Sequence, residues 1–177
     1  MKLNDSPTKK NLRLLKSLYR KAFPRCEKKP FALIRKKRKE GSMEILSAED
    51  ENGRFLGFAI TILHKDIVLL DYLAVSPDRR GNGLGSQILE QLNHRYEGKR
   101  ILLEIEDPDA RCKNKEERLR RRSFYLRNGF AVQDYKVWLF GVKMMILSHA
   151  GPVSFDEYHE IFEAVFSPKT GRHVTLA

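Results

Sequence analysis

The apolar positions of the chain follow a helical period near its N-terminus and a strand period soon afterwards. The first helical stripe follows a potential cap at Ser6-Pro7-Thr8 and consists of Leu12, Leu15, Tyr19 and Ala22. A second helix is predicted between Pro30 and Gly41. Three runs of strand length then occupy residues 43–75 and are separated by short polar turns, which predicts a meander of antiparallel strands.

The remainder of the chain alternates between the two periods. The predicted elements are, in order, a helix from Leu84 to Tyr96, a strand at 100–106, a helix at 113–128, strands at 132–140 and 142–148, and a last helix that a Ser154–Glu157 capping box opens and that reaches about Phe166. Residues 167–177 are expected to form a mobile tail.

This order of elements predicts one α/β domain, because helices and strands are interleaved without a long linker. We expect a mixed, mostly antiparallel sheet of about six to seven strands, flanked by helices. The single domain would span residues 1–177. It would consist of N-terminal helices at 1–41, a core at 43–148, and a C-terminal helix and tail at 149–177.

Composition narrows the class of protein. The 177 residues carry 34 Lys and Arg against 23 Asp and Glu, a net charge of +11. The excess lies in residues 1–40 and 111–136, on either side of an acidic middle, which suits an anionic ligand as well as nucleic acid. Two distant cysteines, Cys26 and Cys112, argue against a disulfide scaffold. With neither a membrane-length apolar run nor a signal-peptide core, we expect a cytoplasmic protein with no membrane partner.

The segment from Leu73 to Ser86 is the most informative for chemistry, because it joins an apolar strand to a helix through a glycine-rich loop. The glycines stand at alternate positions, Gly81, Gly83 and Gly85. A loop without Cβ atoms, followed by a helix N-terminus, can bring backbone amides to a pyrophosphate. The spacing fits neither a Walker loop nor a dinucleotide fingerprint. A purely structural turn is the alternative interpretation.

Two motifs resemble the signatures of the GNAT superfamily of N-acetyltransferases. The run Arg80-Gly81-Asn82-Gly83-Leu84-Gly85 resembles its R/Q-x-x-G-x-G/A pattern, and 123–130 is similar to its aromatic-Tyr-x-x-x-Gly-Phe helix end. The resemblance implies acetyl-CoA as cosubstrate and a small-molecule primary amine as acceptor, and because the histidines lack metal-ligand spacing no metal is expected. It also implies that the pantetheine arm pairs with Leu73, Ala74 and Val75, and that the pyrophosphate is held by Arg80, Gly81, Asn82, Gly83, Leu84, Gly85 and Ser86.

The same resemblance implies candidate catalytic residues. Tyr125 stands four residues before Gly129, where the family keeps the tyrosine that protonates the departing sulfur. Glu104 matches a strand glutamate that acts as general base in some members. Strand alternation places Glu106 on the same face, nearer the strand's end, and Asp71 on the adjacent strand is a third candidate. Any of these carboxylates could instead pair with an arginine of residues 118–122.

Two further segments bear on the acceptor. Residues 107–122 lengthen the stretch between Glu104 and Tyr125 beyond what many relatives have, and are expected to form a substrate wall or to bind the CoA 3′-phosphate. The run Phe23-Pro24-Arg25-Cys26-Glu27 resembles an F-P-x-x-E turn that closes over the acceptor in some small-amine acetyltransferases; a plain turn between helices explains it equally well.

Other functions stay open at this point. One is a non-catalytic module that senses an acyl-CoA, and another is an acetyltransferase for protein lysines or N-termini. A nucleic-acid-binding protein is the remote alternative, because the basic segments lack a recognisable binding motif and the acidic middle would repel phosphate. The histidines show no metal-ligand spacing. Relatives that dimerise through their closing strands imply a possible homodimer.

Overall fold

The structure is a computed structural model that describes residues 1–177, apart from the side chain of Cys26. The prediction that the cysteines form no disulfide scaffold therefore concerns, at Cys26, a side chain outside those described. Cys112 is a free, partly exposed cysteine. The elements are β1 (Lys2–Asn4), α1 (Lys9–Ala22), α2 (Phe31–Lys39), β2 (Met43–Glu49), β3 (Phe55–His64), β4 (Ile67–Val75), α3 (Leu84–Arg95), β5 (Arg100–Glu106), α4 (Lys115–Arg127), β6 (Ala131–Leu139), β7 (Val142–His149), α5 (Phe155–Val165), α6 (Pro168–Gly171) and β8 (Val174–Leu176).

The strands form a mixed sheet in the order β1-β2-β3-β4-β5-β7-β6-β8. Strands β4 and β5 run parallel, with Ile67–Leu69 opposite Arg100–Leu102, whereas the other registers described are antiparallel. The predicted fold class, a mixed and mostly antiparallel sheet flanked by helices, is confirmed. The sheet has eight strands rather than six or seven, because the three-residue strands β1 and β8 are too short to show an alternating pattern.

The C-terminal residues correct one expectation. Residues 167–177 are not a mobile tail: they contain α6 and β8, and β8 pairs with β6, with Val137 opposite Leu176. Val174 is buried, and the amide of Ala177 donates to the carbonyl oxygen of Lys136 over 3.0 Å. Because pairing with a distant strand orders this polar segment, its local composition could not reveal the structure.

The chain divides into two compact units, which we describe separately. The first contains Met1–Leu63 and Leu70–Glu97, and the second contains His64–Leu69 and Gly98–Ala177. That residues 1–177 form a single domain stays a prediction.

The first unit is built around an aromatic cluster that joins α1 to β3 and β4. Tyr19 packs edge-on against Tyr72 at 4.9 Å between ring centroids, and Phe23 meets the same ring at 4.9 Å. Helix α1 begins as predicted, with Thr8 accepting a hydrogen bond from the amide of Asn11. The cluster thus anchors α1 and the segment that follows it to the middle of the sheet.

The second unit is built around β5, β7 and α5. Strand β5 pairs with β7, with Glu104 opposite Ile146. Helix α5 begins at the predicted capping box, in which Ser154 and Glu157 satisfy each other's backbone amides. Its inward face carries the buried residues Tyr158, Ile161, Phe162 and Val165. Glu104 and Tyr158 therefore belong to the same packed unit.

Candidate active site

The glycine loop of the first unit has the backbone geometry of an anion cradle. Gly81 and Gly83 adopt φ angles of 85° and 70°, which residues with a Cβ avoid. Gly83 is the N-cap of α3, and no side chain caps it and no acidic residue occupies the first turn. Among the described residues, the first-turn amides of α3 thus have no side-chain acceptor, and the positive end of the helix dipole is uncompensated.

The predicted pyrophosphate residues surround that helix terminus. Arg80, Gly81, Asn82 and Gly83 are exposed, and Leu84, Gly85 and Ser86 are half-buried. The Nε atom of Arg80 donates to the carbonyl oxygen of Val75 over 3.3 Å, which ties the loop to the end of β4. These seven residues fit a pyrophosphate, because exposed amides, a free helix N-terminus and a guanidinium are gathered in one loop.

The predicted pantetheine-binding residues lie on β4, just before the loop. Leu73 and Val75 are half-buried on one face of the strand, and Ala74 is buried on the other. The described ladder between β4 and β5 ends at Leu69, so it does not use the backbone of Leu73–Val75. On the β3 side, Gly57 lies so close that a Cβ there would come within 2.6 Å of the Ala74 carbonyl oxygen.

Asp71, the third candidate base, is buried on β4 and paired with a lysine. Its Oδ1 atom lies 2.7 Å from Nζ of Lys29, and its side chain is 3% exposed. Burial raises the pKa of Asp71, and the charge of Lys29 opposes that rise. The Oδ2 atom has no hydrogen-bond partner among the described residues. Asp71 is therefore a buried carboxyl whose protonation is coupled to Lys29.

The turn after α1 is held against β4 next to Asp71. The hydroxyl of Tyr72 donates to the carbonyl oxygen of Glu27 over 2.8 Å and accepts from the amide of Lys29 over 3.0 Å. Nζ of Lys29 lies 5.5 Å from the centroid of the Tyr72 ring. The segment that resembles an F-P-x-x-E turn is thus fastened to the strand that carries Leu73 and Val75.

Glu104 and Glu106 share a face of β5, as predicted, but have different partners. Tyr158 on α5 donates a hydrogen bond of 2.6 Å from its hydroxyl to Oε1 of Glu104. Glu106 accepts from Arg118 on Oε1, and its Oε2 lies 3.5 Å from Nη1 of Arg121. The alternative interpretation, a carboxylate paired with an arginine of residues 118–122, therefore describes Glu106.

The added segment 107–122 is held in place by ion pairs. Asp107 is buried, and its carboxylate lies 2.9 Å from Nζ of Lys136. Arg118 also donates to the carbonyl oxygen of Asp107 over 3.0 Å. Two of the five residues at 118–122 thus form ion pairs with Glu106, and a role for this segment as a wall or phosphate site stays a prediction.

Tyr125 is buried in α4 between two other aromatic rings. Its ring centroid lies 5.1 Å from that of Phe124 and 5.7 Å from that of Phe130. Burial raises the pKa of Tyr125 to about 12, although the charge of Arg121 acts in the opposite direction. Because this pKa lies far above 7, the Tyr125 hydroxyl is protonated at neutral pH and can donate a proton.

The site residues thus fall into two groups. The first unit brings together the Arg80–Ser86 loop, Leu73–Val75 and Asp71, and the second brings Glu104 and Glu106 to one face of β5. Sequence reasoning missed the partners Lys29 and Tyr158. Tyr158 gave no signal, because it stands at helical spacing with Phe155 and Phe162 and looks like an ordinary core aromatic.

Among the described residues, no three His, Cys, Asp or Glu side chains come together as a metal site would require. None of the helices described combines the length and the apolar character needed to cross a bilayer.

Comparisons with known proteins agree with this geometry. A family model for an acetyltransferase (GNAT) domain matches residues 41–132, slightly more than half of the chain. Over 63 residues the chain is 43% identical to "Putative acetyltransferase YjbC" of Bacillus subtilis (strain 168), a match that covers 36% of this chain and 30% of that relative.

Two solved structures show the same fold over most of the chain. A GNAT-family protein from Bacteroides thetaiotaomicron superposes with a TM-score of 0.78 at 20% identity, covering 97% of this chain and 99% of the other. Spermidine N-acetyltransferase from Vibrio cholerae, in complex with CoA and spermine, superposes with a TM-score of 0.61 at 15% identity, covering 82% and 92%.

Proposed function

Because the chain belongs to the GNAT acetyltransferase family, we propose that it transfers the acetyl group of acetyl-CoA to the primary amine of a small molecule. The observation that carries the proposal is the uncapped N-terminus of α3, reached through Gly81 and Gly83 and preceded by Arg80. The Vibrio cholerae neighbour supports a small amine, since its structure holds CoA together with spermine.

The loop and β4 would hold the cosubstrate. The amides from Arg80 to Ser86 would donate to the pyrophosphate, and the backbone of Leu73–Val75 would pair with the pantetheine arm as an added strand. No side-chain cap has to leave the helix terminus when the pyrophosphate binds, so binding does not carry that cost.

When bound, acetyl-CoA supplies the thioester that the amine attacks, so one proton must leave the incoming ammonium and one must reach the departing sulfur. Tyr125 would donate to the sulfur, because its high pKa keeps the hydroxyl protonated at neutral pH. Glu104 would take the proton from the ammonium.

Glu104 is the stronger of the two candidates on β5. To accept a proton, Glu106 would have to give up its ion pairs with Arg118 and Arg121. Glu104 is held by the neutral hydroxyl of Tyr158, and this hydrogen bond survives in altered form when the carboxyl is protonated. Asp71 stays the alternative base, since it is buried beside the proposed pantetheine strand.

The first experiment measures the thermal stability of the protein with and without acetyl-CoA. Binding at a hundredfold excess over Kd stabilises the folded state by about 2.7 kcal/mol, so the melting temperature rises. No shift at millimolar acetyl-CoA contradicts the proposal. Release of free thiol with a panel of amines then separates an enzyme from an acyl-CoA sensor, which would show the shift without turnover.

The second experiment compares Glu104→Gln with Glu106→Gln, two identical changes on one strand face. We expect Glu104→Gln to lower kcat by about 10²–10⁴-fold, the usual contribution of a general base, with an unchanged Kd for acetyl-CoA. Glu106→Gln is expected to lower the melting temperature and to leave kcat within about threefold, because it removes ion pairs that hold α4. If the two variants exchange these effects, the assignment of the base is wrong.

A further inference from the structure

Helix α5 presents one polar group from an otherwise apolar face to strand β5. Tyr158 is fully buried on that face, and its hydroxyl donates to Oε1 of Glu104 over 2.6 Å. The ring packs edge-on against Phe162 at 5.2 Å between centroids. A core tyrosine needs a hydrogen-bond partner for its hydroxyl, and here the partner is the proposed general base.

The position of Tyr158 is fixed from the preceding residue. Glu157 forms a two-point ion pair with Arg100, with distances of 2.7 and 3.3 Å to the guanidinium nitrogens. Arg100 begins the strand that carries Glu104, and it also donates to the carbonyl oxygen of Pro152 over 2.8 Å. Residues 157 and 158 of α5 are thus attached to residues 100 and 104 of β5, so two adjacent contacts join the start of α5 to this strand.

A second tyrosine that is affected by the charge of Glu104 provides a contrast. Burial, followed by the charges of Glu157, Asp134 and Glu104, raises the pKa of Tyr135. Its hydroxyl is buried and has no hydrogen-bond partner among the described residues. The charge of Glu104 is therefore felt by Tyr135, but the hydrogen bond comes from Tyr158.

The other titratable and charged groups described around Glu104 lie on β5 itself and on three further elements. Strand β7 contributes an apolar neighbour, Ile146. The charged or titratable groups are Glu157 on α5, Tyr135 and Asp134 on β6, Arg100 and Glu106 on β5, and Arg118 and Arg121 on α4, which pair with Glu106.

We propose that Tyr158 is a positioning residue for Glu104: its hydroxyl holds the carboxylate in one orientation and favours the ionised form that accepts the proton of the amine. The inference rests on the proposed function, in which Glu104 is the base. A hydrogen bond donated to a carboxylate stabilises the charged state, so its loss makes the carboxyl easier to protonate. The activity must then be lost at a higher pH than in the wild type.

The test is Tyr158→Phe, which keeps the ring and its packing against Phe162 and removes only the oxygen. The matched control is Tyr135→Phe, which deletes a buried hydroxyl near the same carboxylate without breaking a hydrogen bond within the chain. For both variants we would measure kcat/KM from pH 5 to 10, KM for acetyl-CoA and the melting temperature. The Glu104 carboxyl carbon would also be titrated by ¹³C NMR without substrate, its signal assigned by its loss in Glu104→Gln.

For Tyr158→Phe we expect the midpoint of the acidic limb to rise by about one pH unit, with the same rise in the NMR titration. Turnover would fall about tenfold at acidic pH and less than threefold above pH 8, and KM for acetyl-CoA would not change. In a Glu104→Gln background, Tyr158→Phe should have no further effect on turnover, because it acts through that carboxylate.

Two outcomes overturn the inference. One is an acidic limb and an NMR midpoint that stay in place in Tyr158→Phe. The other is an equal shift in Tyr135→Phe, which would assign the effect to general polarity. If instead Glu104→Gln is fully active while the NMR midpoint moves as expected, the proposed base is wrong and the contact with Tyr158 is structural.

Discussion

A single methyl group added at Gly57 tests whether the position of β4, the strand that carries Leu73–Val75, determines the affinity for acetyl-CoA. Gly57 lies on β3, and a Cβ built there would be 2.6 Å from the carbonyl oxygen of Ala74, 3.1 Å from Cα of Val75 and 3.4 Å from the carbonyl carbon of Ala74. All three atoms belong to the backbone of β4. Since no side chain can rotate away, Gly57→Ala must change the spacing between the backbones of β3 and β4 at Ala74 and Val75.

The size of the effect follows from these distances. Ordinary contact begins at 3.4 Å, so the separation between the new Cβ and the Ala74 carbonyl oxygen has to increase by about 0.8 Å. Overpacking of this kind costs about 1–3 kcal/mol of folding free energy. A shift of this size also spoils one or two backbone hydrogen bonds to a ligand, each worth about 1 kcal/mol. We therefore expect the Kd for acetyl-CoA to rise about tenfold.

The assay is isothermal titration of acetyl-CoA into wild type, Gly57→Ala and Gly53→Ala, with urea unfolding of each. Gly53 has a φ of 73° and nothing within 4 Å of its Cβ position, so alanine there strains the β2–β3 turn by about 1–2 kcal/mol without pressing on β4. The control should lose stability and keep its affinity. The reasoning is refuted if Gly57→Ala binds acetyl-CoA as the wild type does, or if both variants weaken binding equally.

Two further predictions concern protonation. Burial raises the pKa of Tyr125 to about 12, so its hydroxyl stays protonated across the range of the assay. We therefore expect Tyr125→Phe to lower kcat by about 10–100-fold at every pH from 6 to 10 without changing the shape of the plot of kcat against pH. If the wild type loses activity at high pH and the variant does not, this prediction is wrong. The Arg100 hydrogen bonds and the Ser154 amide lower the pKa of Glu157 to about 2, so its stabilising effect is present above pH 4.5 and is lost as the pH falls towards 2. Because the Glu157 side chain is 40% exposed, its ion pair stabilises the fold by at most about 1 kcal/mol. Glu157→Gln should therefore reduce the melting temperature at pH 7 by about 2–4 °C. Thermal unfolding at pH 7, 4 and 3 should show that the difference in melting temperature between wild type and variant becomes smaller as the pH falls.

Elements that carry a strong local period could be predicted closely from the sequence. Strand β5 has the predicted bounds, the three strands predicted within residues 43–75 end at Val75 with β4, and the capping box places the start of α5 correctly. Strands β1 and β8 were missed for a physical reason. Each is three residues long and is ordered by its pairing with a strand far away in the chain, which no local pattern records.

The candidate site divides along the same line. The glycine loop could be predicted, because the positive φ angles of Gly81 and Gly83 are a backbone requirement that the residue type itself reveals. The pairing of Asp71 with Lys29 could not, since 42 residues separate the two and either could have met another charge. The residue type shows which chemistry a side chain can perform. Whether that side chain is charged, and which group it pairs with, depends on residues that are distant in the sequence.

Glu104 and Glu106 make this point most clearly. They are the same residue type, two positions apart on one strand face, and from the sequence only the match of Glu104 to a family glutamate ranks it above Glu106. The difference comes from other elements: Arg118 and Arg121 of α4 engage both oxygens of Glu106, while Tyr158 of α5 donates to Glu104. Protonating Glu106 costs two ion pairs, whereas the hydrogen bond between Tyr158 and Glu104 joins the carboxylate to a neutral hydroxyl. The segment 107–122 and helix α5 therefore separate two equivalent carboxylates into a structural one and a candidate catalytic one.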